Sequence, residues 1–329
     1  MSKENIRFQR FVVIIACVLL LVKFAAYLIT HSNAILTDAL ESIVNVIASA
    51  FGLYSLILAS RPRDINHPYG HGKIEFISAS IEGSMILIAG IIIIGKSVFN
   101  IFFPHSIQHI GDGILLVAFA GLVNFIIGYA LEKRGVKANS LTLIAGGKHL
   151  QSDGWTTLGL LIGLGLLYFL QYVWIDSAVA ILFGLYISWE GYRIVRRSIA
   201  GIMDEADMEL LHSIIDTLNK NREENWIDIH NLRIIKYGST IHIDCHLTVP
   251  YYFSVKEGHD ELEKMETRIH QHHETSSEWF VHVDACVPPD MCRICSKKDC
   301  SVRQANYTHR VEWNMENVLK NRKHGLEME

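Results

Sequence analysis

The sequence has few charged residues: Asp, Glu, Lys and Arg make up only 19% of its 329 residues, whereas half of the residues are hydrophobic. Charge is scarcest before residue 200, where long apolar runs follow one another. This balance argues against a water-soluble protein and indicates an integral, multi-pass membrane protein. No small-residue cleavage site follows the first apolar run, so we expect a spanning helix there and not a signal peptide.

Basic residues are missing from alternate loops. Six apolar segments, each long enough to cross a bilayer, lie near residues 10–30, 34–58, 75–101, 112–133, 141–170 and 175–198. The loops near residues 31, 103 and 171 contain no Lys or Arg, whereas the N-terminus, the other loops and the end of the sixth segment do. The positive-inside rule therefore predicts a six-helix transmembrane bundle over residues 10–200, a cytoplasmic N-terminus of residues 1–9, and a cytoplasmic C-terminus.

The composition changes after residue 203. Residues 204–290 contain 18 Asp and Glu but only 7 Lys and Arg, which argues against nucleic acid as a partner. Their pattern indicates a helix, two strands joined by a turn at Gly238, a second helix with a capping box from Ser254 to Glu257, and a last strand. The order αββαβ predicts an α+β domain over residues 204–290, with helices on one side of a small sheet.

Four of the six cysteines lie at the end of this domain and in the tail of residues 291–329. Cys286, Cys292, Cys295 and Cys300 have the spacing C-x5-C-x2-C-x4-C. A disulfide framework is not expected, because cytosolic thiols are normally kept reduced. Four clustered thiols could close one tetrahedral zinc site, or they could be free or redox-sensing thiols. We expect the rest of the tail to be polar and partly helical.

Two apolar segments carry polar residues at depths where a charge is costly. Glu41 and Asn45 are four residues apart in the second segment, and His149 and Asp153 are four apart in the fifth, so each pair shares one helix face. Four such ligands suit a tetrahedral divalent ion such as Zn²⁺, whose charge the two carboxylates would balance. Without an ion the same groups would take up protons, as an antiporter requires. The alternative is that each pair only packs helices through hydrogen bonds.

The loop after the second segment has the sequence RPRDINHPYGHGKIE. Asp64, His67 and His71 are close together there, and the two neighbouring glycines allow the backbone to fold them toward one ion. The alternative is that these loop histidines are simply solvated.

Histidines also collect on one side of the predicted sheet. Strand alternation places His246 on the face opposite the core, and His282 shares a face with Asp284 on the last strand. His259 lies in the first turn of the second helix of this domain. Several such groups in an acidic domain favour a divalent metal, and a solvated polar face is the alternative.

Taken together, these features resemble the cation diffusion facilitator family of metal-proton antiporters over roughly residues 7–290. The resemblance is carried by HLQSD in the fifth segment, by DINHPYGHGK in the loop, and by the histidines at 230, 246, 259 and 282 with Asp284. It implies a homodimer of subunits with six transmembrane helices, a transport site between helices two and five, and a ferredoxin-like cytoplasmic domain. It also implies a loop site with Asp64, His71 and nearby His67, and a two-metal cytoplasmic site with His230, His246, His259, His282 and Asp284.

The second segment departs from the family pattern. Zinc exporters of the family usually have His or Asp, and then Asp, at the positions that Glu41 and Asn45 hold here. An amide carries no charge, so a harder ion such as Fe²⁺ or Mn²⁺ is an alternative cargo, although His149 favours zinc-like metals.

We therefore predict a secondary transporter that exports divalent cations, Zn²⁺ before others, from the cytoplasm in exchange for protons. Metal would also act as a structural or regulatory ion. The alternatives are efflux of Fe²⁺, Mn²⁺, Co²⁺ or Cd²⁺ by the same mechanism, or a membrane metal sensor that does not transport. A membrane-embedded metal hydrolase is disfavoured, because the sequence has no HExxH or comparable element. The compact loops favour a bacterial inner membrane.

Overall fold

The computed structural model describes residues 3–30, 33–103, 114–170, 174–237, 240–272 and 277–326. The turn predicted at Gly238 lies outside the described residues. Some helix side chains also lie outside the description, among them those of Asp38 and Glu41. The chain divides into two compact units, Met1–Met203 and Asp204–Glu329.

The N-terminal unit consists of long helices. They are α1 (Lys3–Thr30), α2 (Asn33–Ala59), α3 (Ile74–Phe102), α4 (Ile114–Ala138), α5 (Leu141–Leu170) and α6 (Trp174–Ile202). Each helix corresponds to one predicted apolar segment. A single segment in lipid can form all its backbone hydrogen bonds internally only as a helix. Among the described residues, four stretches are long and apolar enough to span a membrane: Lys3–Ala25, Ser42–Ala59, Ile74–Phe102 and Ser177–Ile202.

Helix α5 lies among the other helices of this unit. It packs along α4 and also contacts α2, α3 and α6, while α3 packs along α6 and α1 along α2. Glycines set the closest approach of α4 and α5: a Cβ on Gly147 would lie 2.6 Å from the backbone N of Glu132 and 2.7 Å from the backbone O of Gly128. Small residues allow the backbones of membrane helices to approach closely, and the van der Waals contacts between them stabilise the pair.

The C-terminal unit has the predicted order αββαβ. Its elements are α7 (Met208–Lys220), β1 (Asp228–Tyr237), β2 (Thr240–Val249), α8 (Val255–His272) and β3 (Ser277–Ala285). Strand β1 is antiparallel to β2, and β2 is parallel to β3, which follows the crossover helix α8. One sheet face, including Ile243, Cys245 and Leu247, packs on α7 and α8 through Leu211 and Met265. The opposite face is therefore left for polar residues.

The capping box that the sequence predicts opens α8. The backbone N of Ser254 donates to Glu257 Oε2 at 2.7 Å, and the backbone N of Glu257 donates to Ser254 Oγ at 3.3 Å. Helix α7 begins similarly, with the Asp207 carboxylate accepting from the backbone N of Leu210 at 3.0 Å. These side chains satisfy amides that the first helical turn leaves without a partner.

The tail is bound to the outer edge of β1. A bulge interrupts β1 between His230 and Arg233, and Asn231 adopts a φ of +53°. The backbone amides of Asn231 and Leu232 donate instead to the carbonyls of Lys320 and Val318, both at 2.9 Å. The bulge thus frees two strand amides to hold the end of the tail.

The middle of the tail contributes to the core of the C-terminal unit. Trp313 is buried there, and the Arg222 guanidinium lies 3.8 Å from the centroid of its ring. Arg222 also donates to the carbonyls of Trp226 and Val311. Within residues 286–326, helical structure is limited to one 3-10 helix, Asp290–Arg293, so the tail has less helix than expected.

The contact between α4 and α5 gives a first prediction. We expect Gly147→Ala to destabilise the chain by about 1–3 kcal/mol, because the added methyl group would overlap the backbone of α4. The melting temperature in detergent should fall by about 2–12 °C. Gly95→Ala in α3 is the control, since no described atom lies within 4 Å of its added Cβ. Equal melting temperatures for the two variants would contradict this packing.

Candidate metal sites

The polar residues in the N-terminal half of α5 contact several neighbouring helices. Lys148 Nζ lies 3.1 Å from Glu132 Oε1 on α4 and 3.5 Å from Glu190 Oε2 on α6. His149 and Asp153 lie on another face, one turn apart, and both contact α2. The ion pairs of Lys148 and the two predicted metal ligands therefore lie on different faces of α5.

Asn45 of α2 lies between those two side chains. Its Oδ1 is 3.0 Å from His149 Nε2, and its Nδ2 donates to Asp153 Oδ2 at 2.6 Å. Asn45 and His149 are buried, with 7% and 8% of their surfaces exposed. Two helices thus bring a ring nitrogen, an amide and a carboxylate into contact. These are donor types that Zn²⁺ and related ions accept.

A small polar cavity of about 30 Å³ adjoins this contact. Asn45 and Asp153 line it together with Lys23 of α1, whose side chain is buried. Residues of α4 and α5 complete the lining: Val117, Ala120, Gly121, Asn124, Thr156 and Thr157. Sequence spacing does not assign Lys23 or Asn124 to this site, because helix packing brings them there. Their one sequence signal is polarity within an apolar segment.

The fourth predicted ligand is Glu41, which precedes Asn45 by one turn of α2. Its side chain lies outside the described residues, so its role stays a prediction.

The loop between α2 and α3 brings its three predicted ligands together. Asp64 Oδ1 is 3.0 Å from His67 Nδ1, and Asp64 Oδ2 is 3.4 Å from His71 Nε2. One donor atom from each residue lies within 4.8 Å of the other two. Gly70, with a φ of +86°, takes the left-handed conformation that turns the chain back at His71.

This arrangement favours the ionised form of Asp64. Desolvation raises the pKa of Asp64, but hydrogen bonds from the backbone amide and ring of His67 outweigh it and lower the pKa below its ordinary value. The Asp64 carboxylate therefore stays ionised to a lower pH than an ordinary aspartate.

Strand register explains how the sheet histidines meet. His230 of β1 is paired with His246 of β2, and His246 is paired with His282 of β3, so the three form one row across the sheet. Thr248 is paired with both Asp228 and Asp284, which form a parallel row two residues away. The side-chain period of two residues places both rows on the face opposite the hydrophobic core.

Three of the five ligands predicted for this face form a tight group. Donor atoms of His230, His246 and Asp284 lie within 4.8 Å of one another. His282 Nε2 is 3.7 Å from Asp284 Oδ1, at the margin of the group. His259 lines a cavity with Asp284, but its ring lies near Glu263 at 3.5 Å. The structure thus brings four of the predicted side chains together and leaves His259 across a cavity.

Asp228 belongs to this cluster, although the sequence analysis did not name it. It is fully buried, and one of its oxygens lies 3.5 Å from His230 Nδ1. Burial raises the pKa of Asp228, but its hydrogen bonds with His230 and His324 outweigh burial and hold the pKa well below its ordinary value. Asp228 lies two residues before His230 on β1, so strand alternation alone could have placed both side chains on the same sheet face. Such a carboxylate can orient a ligating imidazole.

The end of the tail also reaches the cluster. The backbone N of His324 donates to Asp228 Oδ2 at 2.9 Å, and its ring hydrogen-bonds the other oxygen of Asp228. Lys323 Nζ lies 3.3 Å from Asp284 Oδ1 and donates to the carbonyl of Ala285 at 3.0 Å. An ammonium group therefore already pairs with a carboxylate that is predicted to bind metal.

The four cysteines of the tail region also meet. Cys286, Cys292, Cys295 and Cys300 all line one narrow cavity in the C-terminal unit. All four are free thiols.

The sequence and these sites define the class of protein. Residues 10–203 match the family model of the cation efflux transmembrane domain, and residues 206–286 match that of the cation efflux protein cytoplasmic domain. The chain belongs to the cation diffusion facilitator family: it is a membrane transporter of metal cations and not an enzyme. Both matches end by residue 286, so the tail lies outside them.

Individual relatives agree with this assignment. An uncharacterized transporter of Synechocystis is 32% identical over 247 residues, which cover 75% of this chain and 80% of the relative. The manganese efflux system protein MneS of Bacillus subtilis is 29% identical over 272 residues, 77% of this chain and 90% of its own. The cation-efflux pump FieF of Shewanella oneidensis is 25% identical over 273 residues, 82% and 90% of the two chains.

The ion pair of Lys323 with Asp284 gives a second prediction. We expect Lys323→Met to raise the Co²⁺ affinity of the histidine cluster about tenfold, because the ammonium group no longer competes with the ion for Asp284. A Co²⁺ titration of the full chain followed by visible absorption measures this, since a nitrogen and oxygen site lacks the charge-transfer band of thiolate ligands. Lys320→Met is the control, as its side chain is exposed in the same segment. Unchanged affinity in Lys323→Met would contradict the competition.

Proposed function

We propose that this protein exports a divalent transition-metal cation, with Zn²⁺ as the preferred cargo, from the cytoplasm in exchange for protons. The transport site would consist of Glu41 and Asn45 from α2 with His149 and Asp153 from α5. The observation that carries this proposal is the contact of Asn45 with both His149 and Asp153 beside a polar cavity. Ligand atoms on two separate helices allow ion binding to depend on how those helices are arranged.

The chemistry of these side chains couples metal to protons. A metal ion needs the lone pair of the imidazole and an ionised carboxylate, and both are lost on protonation. His149 and Asp153 would therefore hold either the cation or protons. In a buried site the charges of Glu41 and Asp153 balance a divalent ion, and protons balance them when the ion has left. Binding of cytoplasmic metal would release protons, and external protons would release the metal on the opposite side.

Manganese is the second candidate cargo. Asn45 supplies an uncharged oxygen donor, and such ligands suit harder ions such as Mn²⁺. The similarity to a manganese efflux protein of Bacillus subtilis supports the same candidate. His149 is the feature that favours Zn²⁺ over Mn²⁺.

We further propose a homodimer in a bacterial inner membrane with both termini in the cytoplasm. The loop charges support this orientation, and the matched cytoplasmic domain and bacterial relatives support the setting. The acidic C-terminal units of two subunits would repel each other without metal. Binding at His230, His246, His259, His282 and Asp284 would reduce that repulsion, so cytoplasmic metal would regulate transport. The loop site at Asp64, His67 and His71 would hold a further ion.

Flux through the α2–α5 site is the third prediction. Proteoliposomes containing the full chain should transport Zn²⁺ and move protons in the opposite direction. Asp153→Asn should reduce both fluxes at least about a hundredfold, since it removes a charged ligand without changing the size of the side chain. Fluorescent indicators of Zn²⁺ and of pH, trapped in the lumen, measure the two fluxes.

Ser84→Ala is the matched control, because the Ser84 hydroxyl donates to the carbonyl of Ser80 in its own helix. Its flux should equal that of the unaltered chain. Normal flux in Asp153→Asn would overturn the site assignment, and metal binding without flux in the unaltered protein would favour the sensor alternative.

Cargo selectivity at Asn45 is the fourth prediction. Asn45→Asp adds a charged ligand, and stronger donor sets increase the preference for Zn²⁺ over Mn²⁺. We expect competition between Zn²⁺ and Mn²⁺ in the flux assay to shift toward Zn²⁺ by about tenfold. Equal selectivity in the two proteins would show that residue 45 does not bind the cargo.

A further inference from the structure

A second kind of metal site lies where the tail leaves the sheet. Cys286 directly follows β3, and its backbone N donates to the carbonyl of Val249 at 2.9 Å. Cys292 lies in the 3-10 helix, and Cys295 and Cys300 lie in the turns that follow it. Three separate stretches of backbone thus direct their cysteines to one cavity.

Arg303 holds these turns in place. Its guanidinium group donates to the carbonyls of Cys292 at 2.9 Å and Cys295 at 3.0 Å, and also to that of Lys297. The three carbonyls belong to the C-x2-C stretch and the residues after it. One planar, multidentate cation therefore fixes the backbone of the cysteine turns, so that the thiols do not depend on exposed loop geometry.

The cavity has the size of a single ion. Its volume is about 10 Å³, which is about the space of one water-sized sphere. Its lining combines the four thiols with apolar groups such as Ile227, Val302 and Met291. No organic ligand fits such a volume, whereas a single ion does.

The charges around the cavity suit a tetrathiolate site. Four thiolates and one dication carry a net charge of about −2. Lys297 and Arg303 also line the cavity and supply positive charge, and Lys297 pairs with Asp299 at 3.0 Å as well. Cationic side chains next to bound thiolates stabilise a site that would otherwise be too negative to bury.

We propose that Cys286, Cys292, Cys295 and Cys300 bind one structural Zn²⁺ ion that fastens the tail to the C-terminal unit. The four sulfurs do not form as tight a group as the histidine clusters among the described residues, so binding would draw them together around the ion. Three of the four cysteines lie beyond the family matches, which end at residue 286, and the site does not depend on the proposed transport reaction. The ion would be a resident of the fold and distinct from the cargo.

The rival role is redox sensing. A redox-sensing thiol must be accessible to solvent. Cys292 and Cys295 are buried, which disfavours that role.

The proposal makes the fifth prediction, which is tested on the full chain in detergent. Purified protein dialysed against a moderate chelator should retain Zn²⁺, and the double variant Cys292→Ser, Cys295→Ser should retain one equivalent less per chain, as measured by mass spectrometry of the metal. Replacement by Co²⁺ should give sulfur-to-metal charge-transfer absorption in the unaltered chain and none in the double variant. Cys17→Ser, in α1, is the control and should behave like the unaltered chain.

A second variant keeps the test valid if the double variant fails to fold. Cys300→His retains four donors, so it should retain the ion while its Co²⁺ charge-transfer absorption falls by about a quarter per lost sulfur. Absence of charge-transfer absorption in the unaltered, fully reduced chain would overturn the proposal. Equal zinc content in the unaltered and double-variant chains would overturn it as well, and so would a disulfide among these four cysteines in protein purified without oxidant. Each of these outcomes is independent of whether the chain transports metal.

Discussion

The proposed transport cycle depends on one contact between two helices, in which Asn45 lies between the ring of His149 and the carboxylate of Asp153. Polar groups at this depth are costly unless they are paired, so hydrogen bonds keep the three side chains together when no ion is present. A dication can satisfy the same groups, and a proton can satisfy the two that titrate. Exchanging the dication for protons therefore costs less free energy than leaving the site without metal or protons. An antiporter depends on this difference in free energy.

The remainder of the N-terminal unit positions this contact. Glycines bring α4 against α5, and Lys148 ties α5 to α4 and α6 through Glu132 and Glu190. These interactions hold the central helix on faces other than the one that meets α2. The contact with α2 includes polar groups at Asn45 and the pair of Ser55 with Thr142 at 3.4 Å, beside an apolar cluster that contains Leu56 and Leu143. A helix that is rigidly packed on one side and polar on the other can exchange its ligands without losing its fold.

Local pattern predicted much of this molecule. The apolar segments predicted the helices of the N-terminal unit, and the capping box of Ser254 and Glu257 predicted the start of α8. The alternation of apolar and polar residues in β2 predicted which sheet face carries His246. The spacing of His149 and Asp153 put both on one side of α5. Each of these features is determined by residues close together in sequence, so helix and strand periods suffice to predict it.

Contacts between distant segments were not predictable in this way. Lys23 joins the α2–α5 cavity only because α1 packs there, and Asp228 meets His324 across 96 residues. The sequence predicted only a polar, partly helical tail, yet the tail binds the bulge of β1 and brings Lys323 to Asp284. The register of three strands, which aligns His230, His246 and His282, likewise follows from the folded sheet. Tertiary packing determines these positions, and no local spacing encodes them.

The most direct test of the central claim is an anomalous difference map at the zinc absorption edge, from crystals of the full chain grown with Zn²⁺. The α2–α5 assignment predicts a peak about 2.0–2.2 Å from both His149 Nε2 and a carboxylate oxygen of Asp153. Peaks at the loop and sheet clusters with no density between α2 and α5 would contradict it.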